Sequence, residues 1–132
     1  DSAIKIANDY PFFGVGIKNY RLKCLDKKYE NPDLVNNKER CSIHPHQIYF
    51  EIVSETGYIG ILLIIFPLFL FIIKNMQIFF IHKNYIHLSG LIVLIIHLIP
   101  ILPSGSFFTN FTGLVFWLNV GFVLATSKFK KI

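Results

Sequence analysis

Between Asn84 and Ser127 the sequence contains no Asp, Glu, Lys or Arg. Charge is scarce overall, at 16% of 132 residues, against about 25% in an average soluble domain. Most of what charge there is lies before Thr56. Apolar residues reach 53% and the mean hydropathy is +0.52. That distribution excludes an ordinary soluble core-and-surface domain and fits a membrane protein. Nucleic-acid motifs are missing too. The net charge is +5, but the basic residues of the first third interleave with Asp26, Glu30, Asp33 and Glu39. That is a solvated loop, not a phosphate-tracking stripe, so no nucleic-acid partner is expected. Internal repeats and low-complexity tracts are lacking. There is no initiator Met and no leader with a basic start. The opening DSAIKIANDYPFF reads as the end of a helix already under way, stopped by Pro11. The chain is therefore expected to be the C-terminal part of a larger polytopic protein.

What is present divides in two. Residues 1–56 are polar and turn-rich, with Gly14-Val15-Gly16 in a tight turn and a charged insert around Pro32 and Asn36-Asn37. Residues 57–132 are apolar. They predict an all-α integral membrane bundle with three transmembrane helices, at about 57–80, 86–103 and 108–126, and a basic tail. Pro67 falls inside the first, which a membrane helix tolerates when neighbours satisfy the freed carbonyl. Lys74, Lys83, Lys128, Lys130 and Lys131 cluster at the ends that share one side. By the positive-inside rule the C-terminus is cytoplasmic and residues 1–56 are exported. In bacteria that compartment is oxidising. Cys24 and Cys41, which flank the insert, are then either a disulfide closing the loop or two free thiols.

The chemistry concentrates in HPHQIYFEIVSETGYIG, from His44 to Gly60. Taken as a helix over 45–58, with Pro45 in the first helical position, it presents two faces. Tyr49, Ile52, Val53 and Thr56 make one; Gln47, Glu51, Ser54, Glu55 and Tyr58 make the other. His46 falls at the positive end of the helix dipole, which disfavours imidazolium and leaves a neutral general base. Three readings stand open for these residues: an interfacial polar lip, a metal site from His44, His46 and Glu51 or Glu55, and base catalysis. The metal reading lacks a third spaced His or Cys. His44 caps the helix or orients His46. His82 and His87 read as interfacial, and His97 as a neutral imidazole bonded to a neighbouring helix within a span.

His46-Gln47, nine residues, then Gly57-Tyr58-Ile59-Gly60 resembles a motif of the O-antigen ligase family of bacterial membrane glycosyltransferases. Upstream, YPFFGVGIKNYR, with Gly14 and Gly16, looks like that family's glycine-containing segment; downstream, IPILPSGSFFTNF looks like its later periplasmic turn. The resemblance implies a glycan moved from undecaprenyl pyrophosphate to an acceptor hydroxyl, such as that of lipid A-core, with inversion and with neither metal nor cofactor. It implies an inner-membrane enzyme working at its periplasmic face. It implies His46 as the catalytic base, with Gln47, His44, Glu51 and Glu55 in support. Cations would hold the pyrophosphate; Arg21, Arg40 and Lys18 are the candidates. One family arginine usually precedes the point where this chain starts, so the fragment is expected to be inactive alone. A polymerase of O-antigen or capsule and a protein O-oligosaccharyltransferase share the motif. Outside the family, a non-catalytic transporter piece is the alternative, but the spans lack the paired charges it would need.

Overall fold

The fold is known from a computed structural model, which describes residues 2–29, 41, 45–100, 102 and 105–127. Every regular element among these residues is helical: α1 (Ser2–Asp9), α2 (Tyr20–Lys23), a 3-10 turn (Lys27–Tyr29), α3 (Ile48–His82), α4 (Tyr85–His97) and α5 (Asn110–Ser127).

Two helices, α3 and α5, are long and apolar enough to cross a membrane. The expectation of three is corrected. Helix α4 has 13 residues, a length of about 20 Å at 1.5 Å per residue, short of a ~30 Å hydrocarbon core. It stops at His97 rather than near residue 103 because Pro100 cannot continue it; the ring would clash with the carbonyl four residues back. The first span is also longer than expected, running to His82 instead of about 80. Its end is an αL cap at Lys83 (φ 52°), whose N–H donates to the Phe79 carbonyl at 2.7 Å. Asn84 follows at once as the N-cap of α4, its Oδ1 accepting from the N–H groups of Ile86 and His87. Two residues thus turn α3 into α4.

Leu68, Leu91, Leu94, Phe116 and Val123 form the core between α3, α4 and α5. Gly90 lets α4 and α5 approach, since a Cβ there would meet Phe122 and Val123 at 2.8 Å. Large apolar side chains elsewhere on these helices, among them Leu62, Phe69, Leu114 and Leu118, face outward. At the α3–α4 turn, His87 is buried, 1% exposed. Its Nε2 contacts the Asn75 carbonyl of α3 at 3.2 Å and its Nδ1 the Thr126 hydroxyl of α5 at 3.1 Å. Asn119 adds a bond from α5 to the Gly90 carbonyl. His97 bonds the Val93 carbonyl of its own helix, not a neighbour, and its ring meets Phe116 edge-on.

The polar region has its own small core of Ala3, Ile6, Tyr20, Cys24 and Tyr29. Cys24 and Cys41 form a disulfide. The Asp9 carboxylate accepts from Tyr29 Oη at 2.7 Å and lies 2.8 Å from Lys28 Nζ. These hydrogen bonds hold the Asp9 carboxyl below its usual range, and burial with the Asp9 bond pushes the Tyr29 phenol up to about 12. Closing a loop of 17 residues by a disulfide stabilises by about 3 kcal/mol. Cys24→Ser should lower the unfolding midpoint of the polar region accordingly, and a strong reductant should bring the wild type down to the variant's value. Melting both proteins with and without reductant checks this; equal midpoints in oxidising buffer would refute it.

Candidate functional site

Helix α3 begins at Ile48, not at Pro45. Gln47 is extended (φ −145°, ψ 123°) and caps it, its side-chain oxygen accepting from the Phe50 N–H at 3.0 Å. His46 therefore stands one residue before the cap, exposed to solvent, and still at the positive end of the helix dipole. The other side of Gln47 donates to the Pro100 carbonyl at 2.9 Å, and Tyr49 Oη donates to the Leu98 carbonyl at 2.6 Å. Both bonds tie the start of α3 to the chain leaving α4.

At Gly57 the helix breaks. Its φ of 70° and ψ of −173° lie in a region open essentially to glycine alone. The segment 11–16 fills the break. Tyr58 N–H donates to the Pro11 carbonyl at 2.7 Å, Val15 N–H to the Ser54 carbonyl at 3.0 Å, and Gly16 N–H to the Glu55 carbonyl at 2.8 Å. Gly14, at φ +65°, lies against the Glu55–Thr56 peptide. The two glycine motifs of the sequence are thus one joint, seen from both sides. Gly60 lies within the helix, where a Cβ would meet the Thr56 side chain.

Three residues of the polar face are buried, against the reading of it as an interfacial lip that meets water. Glu51, Ser54 and Glu55 are 1%, 0% and 2% exposed. Glu55 accepts from the Lys18 N–H at 2.8 Å and, more weakly, from the Tyr20 N–H at 3.4 Å, so it caps α2 from outside. Glu51 accepts from the Phe107 N–H at 2.7 Å and from the Ser106 hydroxyl. A cavity of about 250 Å³ lies between, lined by Lys18, Arg21, Glu51, Glu55, Ser106 and Thr109. A second, more apolar cavity of about 220 Å³ reaches from Ile48 to His97, Phe107 and Phe116. Gly105 and Phe107 line the apolar cavity, while Ser106 between them lines the polar one.

Lys18 and Arg21 are exposed. Among the described residues neither forms a salt bridge, whereas Lys23 is held by Asp26 and Lys28 by Asp9. The hydrogen bonds to Asp26 and Tyr10 push the Lys23 ammonium well above its ordinary range, so it stays charged and engaged. Arg40 and His44, and with them their expected roles, lie outside the described residues. Among the described residues no group of three or more His, Cys, Asp or Glu is placed to hold a metal ion. Sequence reasoning assigned Glu51 and Glu55 to His46; the fold gives them to backbone N–H groups and Ser106. It took Ser106, with Ser104 and Gly105, as a simple turn or an approach to the sugar-lipid, and it missed Thr109 as a cavity residue. Nothing local ties Ser106 to Glu51, its hydroxyl's partner 55 residues away.

Residues 1–65 match the family described as O-antigen ligase. No curated protein and no solved structure matches the chain.

Proposed function

Residues 1–65 of the chain belong to the O-antigen ligase family, and from that premise we propose that the protein is part of a membrane glycosyltransferase taking its glycan from undecaprenyl pyrophosphate. The acceptor is a hydroxyl of lipid A-core. The reaction runs at the periplasmic face of the inner membrane, with residues 1–56 exported and the C-terminus cytoplasmic. The observation that carries this reading is the pair Lys18 and Arg21. Two cations outside any described ion pair line a polar cavity at the start of an apolar helix. That is where the head group of a lipid-borne pyrophosphate would sit.

The chemistry then follows. His46, just before the N-cap of α3, takes the proton of the acceptor hydroxyl. The acceptor oxygen attacks the anomeric carbon from the face opposite the pyrophosphate. The carbon–oxygen bond to the pyrophosphate breaks, and the leaving group departs with the electron pair, inverting the centre. Lys18 and Arg21 stabilise the charge that develops on it. The neighbouring apolar cavity gives the first prenyl units a place beside the head group.

The test is transfer of labelled glycan from undecaprenyl pyrophosphate to lipid A-core, using the full-length protein in membranes. The Lys18→Gln/Arg21→Gln double variant should raise KM for the lipid donor by about 10–100-fold, the loss expected for two charge-assisted phosphate contacts. An unchanged donor KM would remove these two residues from the head-group site. Growth of polymer without labelled lipid A-core would replace ligation by polymerisation as the reaction. Transfer to protein would indicate an oligosaccharyltransferase.

A further inference from the structure

Two glutamates one helical turn apart would ordinarily repel, and burying both is costly. Glu51 and Glu55 are nonetheless among the most buried side chains of the protein. Each reaches a different part of the chain. Glu55 holds the backbone of Lys18 and Tyr20, and so the segment that carries Lys18 and Arg21. Glu51 holds Ser106 and the Phe107 N–H, and so the turn that carries Ser106 and Thr109. Both segments line the polar cavity. A single rigid turn of α3 lies between them.

We propose that Glu51 and Glu55 are the positioning residues of this site: a two-carboxylate clasp on one turn of α3 that sets the distance between its cationic wall and its hydroxyl wall. The clasp rests on the glycosyl-transfer reading for its effect on catalysis, but not for its existence. Neither carboxylate needs to touch substrate. The energetic logic is that of a buried acceptor satisfied by donors from two different segments, which fixes the spacing of those segments.

The partners of the two residues differ, and so must the response to substitution. Glu55 faces two backbone N–H groups, which can only donate. A glutamine there keeps one bond and turns its own NH₂ against the other N–H. Glu51 faces one N–H and one hydroxyl. A glutamine there gives its oxygen to Phe107 and its NH₂ to Ser106, whose hydroxyl accepts as readily as it donates.

The experiment measures donor kinetics for the full-length enzyme in proteoliposomes, alongside trypsin cleavage after Lys18 and Arg21. Glu55→Ala, Glu55→Gln and Glu51→Ala should each raise the donor KM about tenfold, with kcat within about threefold. Glu51→Gln should recover most of what Glu51→Ala loses. Trypsin should cut after Lys18 and Arg21 faster in both Glu55 variants, and no faster in Glu51→Gln. The proposal is overturned if glutamine is as damaging as alanine at 51, or harmless at 55. It is overturned equally if the variants only lower the amount of folded enzyme at constant KM. Should the wild type transfer nothing, the glycosyl-transfer reading fails on its own, and trypsin decides the clasp: unchanged cleavage in Glu55→Ala refutes it.

Discussion

His46→Ala should reduce glycan transfer by about 10²–10⁴-fold in kcat, the range for removing a positioned general base, with little change in the donor KM. The residue is exposed and precedes the N-cap of α3. Its loss leaves the Gln47 cap, the Tyr49 bond and both glutamate clasps in place, and the amount of folded, inserted variant is measured beside its activity. Transfer assayed on matched amounts of both proteins decides the matter. Wild-type activity in His46→Ala would leave the imidazole as part of a polar lip at the membrane edge.

How much of this was legible beforehand depended on the range of the interactions. The apolar helices were readable because their signal is compositional and continuous: residues 84–127 offer no charge at all. The short α4 was less so, because hydropathy counts Leu98, Ile99 and Leu102 as span, while Pro100 dismisses them from the helix. The start of α3 was misjudged by three residues. Proline at 45 suits a first helical position, but the Gln47 side chain competes as a cap and moves the start to Ile48. The polar face was left open for another reason. Alternation of Glu51, Ser54 and Glu55 with Ile52 and Val53 looks amphipathic only if one side meets water. Here the polar side meets backbone N–H groups from residues 18, 20 and 107. Periodicity reports that a face is polar, not who satisfies it. The glycines lay between these extremes. Both motifs were visible, but nothing in either tells that Gly14 closes on the Glu55–Thr56 peptide and Gly57 on the Phe12–Phe13 peptide.

That closure makes Gly57→Ala the substitution with the largest expected effect on stability. At φ +70° and ψ −173° an alanine is strained by about 1–3 kcal/mol before any contact is considered. Its Cβ would also lie 2.3 Å from the Phe12 carbonyl oxygen and 2.7 Å from the Phe13 nitrogen. These are backbone atoms, held by the Tyr58–Pro11 bond, so no side chain can swing aside. The cost should exceed about 3 kcal/mol, expelling residues 11–16 from the break in α3. Gly14→Ala should do the same from the other side, since its Cβ would lie 2.3 Å from the Glu55 carbonyl carbon. Because each change undoes one shared joint, the two should not add: the double variant should be no less stable than the worse single one by more than about 0.5 kcal/mol. Gly121→Ala, which meets nothing within 4 Å, is the control and should be neutral. Thermal unfolding in detergent, with trypsin cleavage after Arg21 as a local reporter, reads all four variants. Full additivity would mean that Gly14 and Gly57 act at separate places, and the joint as described would be wrong. If it holds, loss of the joint also releases Val15 and Gly16 from the Ser54 and Glu55 carbonyls. Lys18 and Arg21 then lose their registration against α3 together with the fold of the loop.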